Sequence, residues 1–344
     1  MKNEPFKVYE PILVVGTGEM ASEYVKLLKY IGIDKRNILV LGRSKKNADI
    51  FTNKYEIPCF YGGTDAIKTC PVSNTAIVAV SHLQLYEVTL ALIQRGYRNI
   101  LIEKPGAVYL NQLQQIECFA KKNEVHVYIA FNRRFYSSIV MARNIIKQDG
   151  GLLSCSFDFT ELEASVLKAS ERKKFSKEEL KRWGILNSFH IIDLFLHLAG
   201  LPENWNYYQC GTLPWHPNAS IFSGSGSTSK NVLFSYLSTW SGAGRWGIEL
   251  TTQNRKLILQ PLELLQSQPK GSFTIEKVPI PDEPIGIKPG LKGQIETFLK
   301  MSKDKKSMQW LCPINEAIIH FRIAEKILGY DHCFSSKSKD LDSS

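Results

Sequence analysis

Residues 11–21 read Pro-Ile-Leu-Val-Val-Gly-Thr-Gly-Glu-Met-Ala. An apolar run passes without a spacer into two glycines and then into a helix-like segment. Gly16 suits the tight strand-to-helix turn, Gly18 lets the backbone approach a pyrophosphate, and Ala21 is small enough for the helix to pack on the strand. The free N–H groups at the helix start favour an anion there. Thr17, Glu19 and Met20 complete the turn as cofactor contacts. An isolated glycine pattern says little, but one with a strand before it and a helix after it is specific. An ordinary tight turn is the competing reading.

The flanking pattern extends the same architecture. Runs 12–15, 38–41, 76–80 and 100–102 are almost continuously apolar, which suits strands buried on both faces of a parallel sheet. Helix-like stretches at 22–31, 45–55, 85–95 and 111–122 separate them, and 125–130 supplies another strand. After residue 130 the rhythm changes. Segment 151–162 begins as an alternating strand, 168–182 is charged and predicts a surface helix and loop, and 188–198 is an amphipathic helix. Strand-like runs at 207–210, 231–240, 246–252, 257–260 and 273–278 imply a mostly antiparallel sheet. The Gly/Ser piece 223–229 predicts a hairpin loop, since no helix pattern follows it. Two helices near 293–301 and 315–327 close this second domain. The predicted fold class is an α/β Rossmann dinucleotide-binding domain over 1–130, an α+β domain with a largely antiparallel open sheet over 131–330, and a polar tail over 331–344.

With 344 residues, 44% hydrophobic and 22% charged, the chain can fill two globular cores. No apolar run has membrane-spanning length, and residues 1–10 lack a secretory pattern. A cytoplasmic protein without a membrane partner is the expectation. The seven cysteines are scattered with no CxxC pair, against a disulfide framework or a thiolate zinc site. The formal net charge of +10 suits an anionic small molecule. A solvated basic surface is the first reading of it, and no nucleic-acid-binding motif accompanies it.

The end of the second strand bears on the choice of cofactor. NAD-binding domains usually carry an acid there for the ribose hydroxyls. This chain has Arg43 and Ser44 followed by two lysines. An arginine and a serine can hold a 2′-phosphate, so NADP is preferred and NAD remains possible. The alternative is that these groups only solvate a helix start. Val80 and His82, after the next long apolar run, are further cofactor contacts, as are Glu103 and Lys104 after run 100–102. A lysine at the carboxyl end of a buried strand lies where open α/β sheets bind ligands.

Glu103-Lys104-Pro105, at its distance from the glycine turn, resembles the Gfo/Idh/MocA (glucose-fructose oxidoreductase/inositol dehydrogenase/rhizopine-catabolism) superfamily. Segment 131–135 (Phe-Asn-Arg-Arg-Phe) and the Gly150-Gly151 strand start look like that family's domain crossover. Segment 190–200 resembles its active-site helix. Trp215–Pro217 and Gly244–Gly247 are similar to pieces of members from surface-polysaccharide biosynthesis clusters. The resemblance implies an NAD(P)-dependent dehydrogenase or reductase acting on CH–OH groups of a sugar or nucleotide sugar. It also implies a homo-oligomer, dimer or tetramer, and no metal.

By that resemblance Lys104 contacts the nicotinamide ribose and the oxygen of the reacting carbon, and His190 transfers the proton or orients the substrate. Histidine titrates near neutrality, which suits the task; a core histidine is the competing reading. His190, Asp193 and His197 share a helix face at metal-ligand spacing, although the family needs no metal. Arg133, Arg134 and Arg245 are candidates for an anionic part of the substrate. Trp183 and Trp215 are candidates for stacking on a sugar or base, with a core or interface role equally fitting. One position departs from the family. Many members place an aspartate four residues before the histidine; here Leu186 stands there, beside Asn187, which hydrogen-bonds but is no base. That departure leaves open a catalytically inactive dinucleotide- or sugar-binding descendant.

Overall fold

The computed structural model describes residues 10–71, 73–171, 175–300 and 307–330. The chain forms two compact units. One holds the described residues up to Phe135 together with Glu283–Ile318; the other holds Tyr136–Asp282 and the described residues from Ile319 onward.

In the first unit, β1 (Ile12–Val15), α1 (Glu19–Tyr30), β2 (Ile38–Gly42), α2 (Lys45–Tyr55), β3 (Cys59–Tyr61), α3 (Gly63–Ala66), β4 (Thr75–Val78), α4 (Leu85–Arg95), β5 (Asn99–Glu103), α5 (Leu110–Lys122) and β6 (His126–Ala130) follow in order. Their strands pair in parallel in the order β6-β5-β4-β1-β2-β3, the doubly wound dinucleotide-binding topology. The chain order reverses between β1 and β4, the kind of switch point at which open α/β sheets bind ligands. All four residues of β1 are buried, as the continuous apolar run requires. The short strand β3 has exposed Phe60 and Tyr61 at the sheet edge and carries no apolar pattern that would have revealed it.

The second unit begins with α6 (Ser137–Gln148), β7 (Ser154–Asp158), α7 (Glu163–Glu171), α8 (Lys177–Lys181) and α9 (Phe189–Ala199). It continues through β8 (Pro202–Cys210), β9 (Ile221–Thr228), β10 (Leu233–Thr239), β11 (Gly247–Thr251), β12 (Arg255–Leu259), β13 (Gln266–Pro269) and β14 (Glu276–Lys277). The sheet runs β14-β13-β12-β11-β7-β10-β9-β8, antiparallel except for the β7–β10 pair. Along β10, Phe234, Tyr236 and Ser238 are buried while Leu233, Ser235 and Leu237 are exposed, the period-two alternation of a one-sided sheet. Phe195 of α9 stacks on Phe157 at 4.6 Å and lies 4.8 Å from Phe234, fixing the helix on the buried face.

Two sequence expectations need correction. Residues 223–229 are not a hairpin loop: most of them lie within β9, paired on both sides. The glycines serve close packing there. A Cβ at Gly226 would lie 2.2 Å from the Asn204 carbonyl oxygen, and one at Gly224 would lie 2.5 Å from the Tyr236 hydroxyl. The second correction concerns the carboxy-terminal helices. The helix α10 (Leu291–Leu299) and the strand β15 (Cys312–Pro313) belong to the first unit, not the second. Leu291, Ile295 and Phe298 enter the core of Ile12, Val14, Tyr24 and Leu28, and β15 pairs antiparallel with β6. Burying each such side chain contributes ~1.5–3 kcal/mol, which ties the returning segment down. The last helix, α11 (Ile314–Leu328), runs from the first unit into the second. The predicted boundary at 130/131 therefore differs from a division that places 131–135 and 283–318 in the first unit. The predicted tail over 331–344 lies outside the described residues.

Candidate functional site

The first unit builds its site at the β1/β4 switch point. Gly16 has φ +130°, and a Cβ there would stand 2.2 Å from the Ala79 carbonyl oxygen, so only glycine fits. The Gly16 N–H donates to the Leu41 carbonyl at 2.8 Å and the Ala79 N–H to the Val15 carbonyl at 2.8 Å, which pins the turn between its neighbouring strands. Gly18 is the N-cap of α1, no side chain caps the helix start, and a Cβ at Gly18 would meet nothing within 4 Å. Open space beside backbone N–H groups at a helix start is what a pyrophosphate needs. The residues therefore fit a dinucleotide, with Thr17, Glu19 and Met20 on the turn. Lys288 of the returning segment places its ammonium 3.3 Å from the Met20 sulfur.

At the end of β2, Arg43 is exposed and Ser44 is the N-cap of α2, its hydroxyl accepting from the Asn47 N–H at 3.4 Å. The hydroxyl assigned to a cofactor phosphate thus also caps a helix. Val80 and His82 are half-buried just beyond β4, His82 opening a short 3-10 turn before α4. Glu103 ends β5, with Lys104 half-buried next to it. The Tyr24 hydroxyl donates to Glu103 Oε1 at 2.5 Å. Burial, and then the Glu103 carboxylate, hold the Tyr24 hydroxyl well above the ordinary phenol range, so it stays protonated and donates. That bond joins α1, which begins at the glycine turn, to the Lys104 loop.

In the second unit a π-helical turn, Gly184–Ser188, runs directly into α9. Such turns often occur at functional sites. Leu186 is 1% exposed and His190 2% exposed; the His190 ring lies 6.1 Å from that of Trp246. Asn187 Nδ2 donates to Glu161 Oε2 at 2.8 Å, and the Ser188 hydroxyl donates to Glu161 Oε1 at 2.6 Å. Asp193 Oδ1 meets His320 Nδ1 at 2.9 Å, so this aspartate faces α11.

The remaining substrate candidates diverge. Arg133 is half-buried and donates to the Asn132 side chain at 2.8 Å. Arg134 is fully buried, paired with Glu316 at 2.7 Å and donating to the Leu311 carbonyl at 3.4 Å, which locks the returning segment. Trp183 packs edge-on against Phe175 at 5.0 Å. Trp215 stacks on Trp240 at 5.7 Å and donates to Glu163 at 2.9 Å. Both tryptophans are 8% exposed, which places their rings in the interior. Arg245 is exposed. Next to Trp215, His216 bridges the Ala219 carbonyl and the Tyr330 hydroxyl, each at 2.6 Å. Burial pushes its pKa down to about 4, so the ring is a neutral core group.

Residues 11–131 match the family model described as an oxidoreductase family with an NAD-binding Rossmann fold. The match covers the first unit's parallel sheet and its connecting helices. Trans-1,2-dihydrobenzene-1,2-diol dehydrogenase of Xenopus tropicalis is 26% identical over 136 residues, 39% of this chain and 41% of the relative. The mouse protein of the same name is 24% identical over 39% of this chain and 40% of its own length. The chain thus matches about two fifths of the length of these curated relatives. Among solved structures, UDP-N-acetylglucosamine 3-dehydrogenase from Acidithiobacillus ferrooxidans superposes with TM-score 0.72 at 14% identity, covering 93% of this chain and 97% of that one. An oxidoreductase from Agrobacterium radiobacter in complex with NAD+, L-tartaric acid and magnesium gives TM-score 0.70 at 12% identity, covering 96% and 98%. These likenesses show a shared fold over the residues of both units.

Sequence reasoning missed Glu161, Trp246, Tyr24, Lys288 and His320. Glu161 comes just after an alternating strand and Lys288 sits in a Pro/Gly-rich stretch, with no motif at either. Tyr24 had a usable signal, three residues beyond Ala21 on the helix that the glycine turn starts, and Trp246 lies within the Gly244–Gly247 piece.

Proposed function

We propose that this chain is an NADP(H)-preferring dehydrogenase or reductase of a sugar or nucleotide-sugar hydroxyl/ketone carbon, serving surface-glycan or sugar metabolism in the cytoplasm. The supporting observation is the Gly16 turn, packed on Ala79 at the switch point with open space beside Gly18. Gly16, Thr17, Gly18, Glu19 and Met20 would hold the pyrophosphate, Arg43 and Ser44 the 2′-phosphate, and Val80, His82 and Glu103 the nicotinamide half. A nicotinamide dinucleotide held by these residues would supply the hydride-transfer chemistry. Lys104 hydrogen-bonds the substrate oxygen, and His190 takes up or returns its proton. Asn187, Arg133 and Arg245 orient the substrate; Arg134, Trp183 and Trp215 support the fold around it.

The solved nucleotide-sugar dehydrogenase of like fold makes UDP-keto sugars the first compounds to try. Incubation with NADPH and a keto-sugar panel should consume NADPH. Cofactor binding with no consumption by any member would favour a second reading, a dinucleotide-binding descendant without catalysis, for which buried Leu186 speaks. The open face of the second-unit sheet carries Tyr208, Leu233 and Leu237, at 68%, 63% and 62% exposure, among serines. A homo-oligomer formed through this face is part of the proposal, and light scattering after size exclusion tests it. Among the described residues no helix is long and apolar enough to cross a membrane.

A further inference from the structure

Gly42 is the last residue of β2, the strand end at which NAD-binding domains place an acid for the ribose hydroxyls. Its φ is not left-handed, so conformation alone would admit any side chain. Space does not. A Cβ at Gly42 would stand 2.8 Å from the Thr17 methyl, 3.5 Å from the Thr17 hydroxyl oxygen and 3.8 Å from the Cys59 sulfur. The hard collision is thus with one group, the methyl of Thr17. Both branches of this side chain face Gly42, and β-branched side chains are stiff about χ1.

The glycine turn that carries Thr17 is held against β2. The Gly16 N–H donates to the carbonyl of Leu41, next to Gly42, at 2.8 Å, and Gly16 itself packs on the Ala79 carbonyl. Thr17 cannot retreat from β2 without disturbing both contacts. Beyond Gly42 the charge at the strand end is positive. Arg43 is exposed, its carbonyl accepts from the Gly62 N–H at 3.3 Å, and its Cγ lies 3.7 Å from where a Cβ of Gly63 would stand. We infer that Thr17 is a specificity-determining residue of the dinucleotide site: its methyl keeps position 42 free of a side chain, so no carboxylate can reach the ribose hydroxyls from there. The end of β2 is left to the Arg43 guanidinium and a 2′-phosphate. Selection against NAD(H) then lies in the glycine turn as well as in β2, by a collision built against the wrong partner.

The inference rests on the NADP(H) reading of the site, and its first test needs no ligand. Unfolding midpoints are measured for the full chain, for Thr17→Ser, for Gly42→Ala and for the pair. Thr17→Ser removes the methyl and keeps the hydroxyl. Overpacking destabilises, so the loss caused by Gly42→Ala should shrink by about 2 °C or more when Thr17→Ser accompanies it. Equal losses with and without Thr17→Ser overturn the proposal. The second test is a fluorescence titration with NADH and NADPH. Gly42→Asp alone should bring no gain in NADH affinity. Added to Thr17→Ser it should raise NADH affinity about tenfold, the worth of a hydrogen bond to a charged group. An equal gain in Gly42→Asp alone, or none in the pair, overturns the role of Thr17 in specificity. Folding of the pair where Gly42→Asp alone fails to fold supports it, and if neither folds the alanine midpoints decide. A parent that binds NADH more tightly than NADPH, with coupled midpoints and the gain in the pair, would contradict the NADP(H) reading and leave the Thr17 collision standing. A parent that prefers NADPH, with uncoupled midpoints, would do the reverse. Absence of dinucleotide binding in parent and pair alike overturns both.

Discussion

The two units place chemistry by different means. In the first, the decisive residues are contiguous: a strand, Gly16, Gly18 and a helix start, each required by local backbone geometry. In the second, the His190 turn depends on Glu161, 26 residues before Asn187 in the chain and brought to it by the end of β7. Backbone demands write themselves into short motifs; a side-chain cluster assembled by tertiary packing leaves no spacing to read.

The largest expected effect breaks the local half. Gly16→Val puts a side chain into the Ala79 carbonyl at a φ that costs ~1–3 kcal/mol for most residues even without a collision. Dinucleotide affinity should fall by at least ~100-fold, as read by fluorescence titration, with a lowered unfolding midpoint. Retained affinity would mean that the turn does not hold the cofactor.

Next come the two residues proposed to handle the substrate oxygen and its proton. Lys104→Met and His190→Asn should each slow turnover by ~10²–10⁴-fold, the usual worth of general acid–base help, with cofactor affinity changed only slightly. His190→Asn should also remove the near-neutral limb of the pH–rate profile. Full activity in either variant would show that its side chain serves packing instead.

A smaller effect separates His216 from His190. His216 is buried neutral, with its pKa lowered to about 4. Its folded-state pKa lies below the unfolded value near 6.5, so the unfolded chain binds the extra proton first. The stability it contributes is complete above about pH 6.5 and is lost as pH falls toward the folded value. The loss should approach ~3 kcal/mol, seen as a drop in denaturation midpoint between neutral and mildly acidic buffer. His216→Gln should flatten that slope; an unchanged slope would contradict the neutral-core assignment.

The smallest effects concern the cofactor's far end and the returning segment. Arg43→Ala should weaken NADP(H) binding by ~10-fold or more, the worth of a charge-assisted hydrogen bond, while NAD(H) binding stays the same. Lys288→Ala should lower affinity for both cofactors only a few-fold, since its ammonium sits by the turn rather than by the ribose. An NADP-specific loss in Lys288→Ala would reassign the phosphate contact.

These contrasts follow what was legible in the chain. The continuous apolar runs at β1, β2, β4 and β5 announced a parallel sheet because both faces are buried. The β9 segment read as a loop because its glycines obey packing against Trp205 and Tyr236, which sequence alone does not show. The α10 helix was legible as a helix, but a helical pattern does not say which core receives it. Trp215 and Trp183 looked available for stacking on a ligand until their interior partners were seen.

The most direct measurement is a binding titration of the unaltered chain with NADPH and with NADH. Saturable binding of one dinucleotide per chain is predicted, tighter for NADPH and abolished by Gly16→Val. Absence of binding by either cofactor would contradict the dinucleotide site at the Gly16 turn.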